Sequence, residues 1–307
     1  MEENQSSPVF YSYRNIGKCL SAGISFFTDH FRHWLWITLP LAIPLALLLG
    51  VLLYLSSDMR LLAESSATYL TILGIDTVLI VLLTVVFEGL IYHLIYKHSQ
   101  AIDMQSVTLR TAYDRRWLLF SLRSLLVSLL ILVPVLLVVC ALVAVAVWAI
   151  DFQNAFEAVV FMMIAIVLLF MLIIVLIPAQ LCLPSVILGE GRFMQKFWTG
   201  YKWGWRKYGR VLGLTLLVGI GVSIISQLLT LPATVLMLLQ QAATASQLAG
   251  DAVDLPSYLA PFAIIVLVLA GYLSVLLMFV GRTPMAYLYA SVKTDIEEEE
   301  STKLPII

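Results

Sequence analysis

Six long apolar runs, separated by segments that hold nearly all of the basic residues, constrain this chain more than any other feature. They cover residues 34–55, 70–92, 125–150, 158–177, 211–239 and 261–280. A helix of about twenty residues, rising ~1.5 Å per residue, crosses roughly 30 Å of hydrocarbon with its backbone hydrogen bonds closed internally. At 61% hydrophobic and 12% charged over 307 residues, the composition is far from a soluble mixture. The expected fold is all-α, a polytopic membrane bundle of six transmembrane helices.

Charge sets the direction of insertion. All of the 18 lysines and arginines except Arg60 fall before the first run, after the last, or in the second-to-third and fourth-to-fifth connections. The opposite connections are acidic, with Asp58, Glu64, Asp151, Glu157, Asp251 and Asp254. The positive-inside rule then places both termini in the cytoplasm and the chain in a bacterial inner membrane. Trp34, Trp36, Trp117, Trp198, Trp203 and Trp205 are expected at that interface, with Trp148 at the other. No cleavable targeting segment is expected, because some thirty mixed residues precede the first run. Cys19, Cys140 and Cys182 are too scattered for a metal or redox motif and are expected to pack as small apolar groups.

An aromatic and basic stretch precedes runs one, three and five, at residues 26–34, 111–117 and 197–208. The pattern predicts a unit used three times: an interfacial helix followed by a pair of spans. The third copy is the strongest, and Arg192, Lys196, Lys202 and Arg206 among its aromatics are the candidate contacts to anionic lipid. Residues 1–14 are expected as a flexible cytoplasmic terminus, 15–294 as the six-span domain and 295–307 as an acidic cytoplasmic tail. Pro40, Pro44, Pro134 and Pro232 predict kinks within spans. Thr283 before Pro284 predicts a cap and a new short helix, 284–294, turning away from span six. Residues 240–257 are expected as an outer loop holding at most a short helix, and Gly219, Gly221 and Ser223 as a surface for close helix packing.

Polar groups inside lipid are expensive, so the search for function starts with them. Asp76, Glu88, Gln180 and Gln227 are the candidate intramembrane polar residues, Ser223 and Thr230 extend Gln180 and Gln227 into a candidate internal polar path, and Glu88 shares a helical face with Tyr92. No phosphate-binding glycine loop, zinc-protease motif, serine elbow or paired carboxylates stands out, so the sequence favours a non-enzyme without metal or cofactor. Basic residues spread along an interface, without a reading fold, do not describe a nucleic-acid binder.

The order of motifs resembles a bacterial group of six-span proteins that includes the YciC-like membrane proteins and the membrane domain attached to some glycerophosphodiester phosphodiesterases. The resemblance is carried by residues 184–190 followed by 197–212, and by residues 286–295. It implies a six-helix membrane domain over about residues 15–296 and brings no catalytic residues. Four consecutive glutamates, 297–300, depart from that group's basic ending. The leading expectation is a noncatalytic membrane protein that organises or regulates a lipid-linked or envelope process. A small-molecule or lipid transporter using polar groups in kinked spans is the alternative, and a membrane-embedded enzyme the third. Expected partners are membrane lipids, anionic ones included, and a membrane protein or a second copy of the chain.

Overall fold

The computed structural model describes residues 10–57, 67–100, 102, 104–149, 155–189, 191–248 and 259–303. The acidic residues expected on the outer loops, Glu157 excepted, lie outside these residues, as do Arg60 and Glu190. Among the described residues, six helices are long and apolar enough to span a membrane. They are α2 (Phe31–Ser57), α3 (Ala67–Ser99), α5 (Arg115–Ala149), α6 (Ala155–Ala179), α9 (Tyr208–Leu248) and α10 (Leu259–Lys303). Shorter helices sit before or between them: α1 (Ile16–Thr28), the single turn α4 (Leu109–Ala112), α7 (Cys182–Leu188) and α8 (Phe193–Arg206). The molecule is thus an all-α polytopic bundle with helices ahead of spans one, three and five, though the middle one is only a single turn.

Helix α10 is the hub, packing on α1, α2 and α9, while α3 bridges α2 to α5. The core concentrates at the basic end, where Trp34, Phe87, Tyr92, Leu181, Phe279 and Tyr289 are fully buried. Trp34 is therefore a core residue at the basic end. Its indole Nε1 donates to Phe26 O at 3.0 Å, and its ring lies 5.8 Å from Phe279. Trp36 and Trp198, by contrast, are exposed. Long stretches of α5 and α6 also leave leucine, isoleucine, valine and phenylalanine exposed, the pattern of helices whose solvent is lipid. Cys19 and Cys182 are buried, Cys140 is exposed, and all three are free thiols.

The structure corrects two element boundaries. Helix α10 runs unbroken through Pro284, where a fresh helix was expected. Thr283 does not cap: its hydroxyl donates to Phe279 O at 2.7 Å and to Gly23 O at 3.0 Å. Helix α1 nests against the proline so closely that a Cβ on Gly23 would meet its ring at 2.6 Å. Burial of Met285 to Ala290 and Val292 holds the helix past the missing amide donor, so tertiary packing overrides the local stop signal. The second correction is α9, which continues to Leu248 where a loop was expected from residue 240. Its last turns are alanine-rich and suit a helix.

The described ends of the chain, residues 10–14 and 295–303, make contacts with the bundle. Phe10 and Arg14 are buried, and the Arg14 amide donates to Ser291 Oγ at 2.7 Å. Acidic residues on the end of α10 close onto the basic α8–α9 turn. Lys207 lies 2.8 Å from Asp295 and also pairs with Glu299, while Arg206 meets Glu299 and Glu300. Arg210 reaches Asp295 at 2.9 Å and spans to Ser291 Oγ and Arg14 O. Hydrogen bonds to Asp295 and Glu299 hold the Lys207 ammonium above the usual lysine range.

Candidate functional site: a polar groove beside a buried ion pair

Glu88 sits in the half of α3 nearer the basic end, 4% exposed. A carboxylate cannot stay charged there without counter-charge and donors. Both are supplied by other helices. Ser124 of α5 donates to Oε2 at 2.7 Å, and Nε of Arg282 on α10 lies 2.6 Å from Oε1, an ion-pair contact without hydrogen-bond alignment. Tyr92, one turn along α3, is fully buried.

Arg282 faces two environments. Besides Glu88, it lines a cavity of about 480 Å³ between α9 and α10, together with Gln180, Thr215, Gly219, Ser223, Gln227 and Ser274. A second cavity, of about 470 Å³, continues past Thr230, Thr234 and Gln241, and Gln227 and Ser274 belong to both. The two form one lateral groove. On the α9 side, residues 215, 219, 223, 226, 227, 230, 234 and 241 recur at helical spacing and occupy roughly one third of the circumference. From Thr215 to Gln241 the stripe rises about 39 Å, longer than the roughly 30 Å of a membrane's hydrocarbon core.

Several hydroxyls lining this groove are partly satisfied by their own helix. Thr230 donates to Ser226 O at 2.8 Å, Thr234 to Thr230 O at 3.1 Å and Ser274 to Ala270 O at 2.8 Å, which leaves their oxygens as acceptors. The buried Thr215 hydroxyl has no partner among the described residues. Ser223 and Gln227 are exposed, an expensive placement against acyl chains and a reasonable one against water or a polar headgroup. Gly219, expected to admit a neighbouring helix, has nothing within 4 Å of where a Cβ would stand and opens the groove instead.

The sequence candidates therefore separate. Gln180 and Gln227 meet in the groove, and Glu88 joins them through Arg282. Asp76 stands apart: twelve residues before Glu88 on α3, it lies about 18 Å away along the axis, buried and with Oδ2 unpartnered. Arg282 and Ser124 complete the site and were not singled out in the sequence. An arginine just after the last apolar run was the available signal.

The four basic residues of α8 also divide, because 196 and 202 lie about 240° apart around a helix. Arg192 is the exposed residue before the first turn, Lys196 turns inward beneath α7, Lys202 is exposed and Arg206 is taken by Glu299 and Glu300. On the outward side of α8, Met194, Trp198 and Trp205 are exposed. On the inward side, a Cβ on Gly200 would meet Leu181 O at 2.7 Å, and one on Gly204 would meet Pro178 O at 2.5 Å. An aromatic face outward and a glycine face pressed on the bundle suit a helix lying at a membrane surface.

A further polar contact lies at the basic end. His93 Nε2 is 3.5 Å from Asp114, which Lys97 approaches at 3.9 Å. Nearby, Tyr113 donates to Ile37 O at 2.9 Å, and burial pushes its hydroxyl up to about 12. Among the described residues no three His, Cys, Asp or Glu side chains gather as a metal site.

No protein-family model, curated protein or solved structure matches the chain. The resemblance to the YciC-like group gains no family-level support from this, and what stands is a polytopic, largely apolar helical bundle.

Proposed function

We propose that this chain is a noncatalytic lipid-handling protein of the bacterial inner membrane, with its basic end in the cytoplasm. In this reading the α9–α10 groove takes up a phospholipid sideways from the bilayer and lets its headgroup travel between leaflets. One observation carries the reading: polar residues of α9 from Thr215 to Gln241, about 39 Å apart along the axis, line two adjoining lateral cavities on a largely apolar helix. A headgroup moving there meets hydroxyl and amide groups from Thr215 to Thr234 and again at Gln241, past Met237 and Leu238, while its acyl chains remain in the bilayer. Arg282 at the inner end offers a cation to the phosphate, and Glu88 keeps that cation oriented when the groove is empty.

The transporter reading is favoured over a purely organising role because scaffolding needs no polar track through the membrane. Candidate groove residues are Gln180, Gln227 and Arg282, with Glu88 behind them. The test is translocation of a fluorescent phospholipid in reconstituted vesicles, scored by its accessibility to an impermeant quencher. Wild-type protein is expected to expose inner-leaflet lipid, and Ser223→Leu with Gln227→Leu to abolish that exposure. A folded wild-type protein that moves no lipid, or a leucine variant that moves it equally well, would defeat the proposal.

A further inference from the structure

A second cavity, sharing no lining residue with the groove, lies at the basic end between α3, α5, the α7–α8 turn and the last turns of α10. Its volume is about 800 Å³, the size of small-molecule sites. Four cations line it: Arg116 and Arg123 of α5, Lys196 of α8 and Lys293 of α10, with Glu297 as the described carboxylate among the lining groups. Lys293 is already shared, 3.9 Å from Glu297 and 4.9 Å from the Tyr11 ring centre. Among the described residues no carboxylate comes within ion-pair distance of Arg116, Arg123 or Lys196. Among the described residues, three positive charges thus converge on one concave surface with Glu297, already paired with Lys293, as the carboxylate on its lining.

The surroundings are built to keep them there. Arg123 spends one donor on Val186 O at 3.4 Å, which ties α5 to α7. Gly191 has φ 122°, a conformation that side chains rarely adopt. Cβ atoms on Gly189 and Gly191 would stand 3.0 and 3.3 Å from the Lys196 stem. The two glycines thus let that lysine lie across the turn and hold its ammonium at the cavity. Helix α8 begins at the same rim with no side-chain cap, so its first-turn amides add to the positive potential. Tyr96, Phe120 and Trp203 supply apolar walls.

We infer that this basin binds a phosphate-bearing anion, with Lys196, Arg116 and Arg123 as its ligands. Arginine forks and a mobile ammonium are suited to phosphate oxygens, and three cations match a doubly charged phosphate or diphosphate group. Such a group can arrive on a lipid headgroup, beside which the basin opens, or as a free phosphate from the aqueous side. The same site recognises both.

The full chain in phosphatidylcholine nanodiscs is titrated with inorganic pyrophosphate by calorimetry. In parallel, retention of phosphatidylglycerol against phosphatidylcholine is read by native mass spectrometry. Lys196→Gln with Arg116→Gln should weaken binding by roughly tenfold or more in whichever arm binds, while Lys202→Gln on the exposed side of α8 should leave pyrophosphate binding unchanged. Pyrophosphate binding lost in the double variant assigns a free anion, and selective loss of phosphatidylglycerol assigns a headgroup. Arg116→Lys, which keeps the charge, should retain most of the affinity and shows that loss reflects charge and not misfolding. Absence of binding in both arms, or equal binding by wild type and double variant, overturns the assignment.

Discussion

Removing one member of the Glu88–Arg282 pair should matter more for one partner than for the other, and removing both should cost less than the worse single change. Glu88 is 4% exposed, whereas the Arg282 side chain is 38% exposed and borders the groove. In Glu88→Gln the freed guanidinium can turn into the groove and hydrate, and glutamine still accepts from Ser124. The loss should be about 2 kcal/mol, below the 3–5 kcal/mol typical of a broken buried pair. In Arg282→Gln the carboxylate stays buried with only the Ser124 hydroxyl, so the full cost of roughly 3–5 kcal/mol applies. The double variant carries no buried charge and should fall back to about 2 kcal/mol, making Glu88→Gln a rescue of Arg282→Gln. Reversible unfolding in mixed micelles by detergent titration, followed by far-ultraviolet circular dichroism, measures all three. Additive losses would refute the reasoning, because they would mean that the two charges do not depend on each other.

Three further outcomes follow from the packing. Gly200→Leu should lift α8 from α7 and cost about 1–3 kcal/mol in the same titration, since its Cβ alone would press on Leu181 O and Ser185; a neutral result would contradict that docking. Lys207→Gln with Arg210→Gln should release the end of α10, read as faster cleavage by a glutamate-specific protease with the six spans intact, and ~1 M salt should do the same more weakly. Because the Lys207 pKa is raised, its share of this contact is complete below pH ~10.4 and is lost only as pH climbs through the raised value, so cleavage at pH 7 and pH 9 should match. Cys19 and Cys182 should resist a membrane-impermeant maleimide until the protein is unfolded, with burial also pushing the Cys19 thiol up; rapid labelling of either would contradict the core described here.

The spans were legible because lipid demands long apolar helices, a constraint written residue by residue. Their ends were less so. Thr283–Pro284 reads as a boundary by local rules, yet α1 and the neighbouring spans bury the following turns and keep the helix going. Ser223, Gln227 and Thr230 were legible as a candidate polar path in span five, but its extent needed helical phase and a neighbour: Thr215, Ser226 and Thr234 join them in a track only because α10 leaves that side open. Arg282 looked like an ordinary flanking charge because its partner is 194 positions earlier on another helix. The cations of α8 looked like one patch in sequence and point in different directions in three dimensions.

The claim on which the functional reading rests is that one side of α9 is polar and wet through the thickness of the membrane. Single cysteines at Thr215, Ser223, Ser226, Thr230 and Thr234, in a background lacking Cys140, test it by reaction with a small water-soluble thiol reagent in reconstituted bilayers. Leu217, Ile225 and Leu228, exposed on the opposite side of the helix, serve as the comparison. Labelling that rises and falls with the helical repeat, fast along the stripe and slow at the three comparison positions, is the predicted result. Uniformly slow labelling from 223 to 230 would mean a dry, sealed surface and would contradict the account.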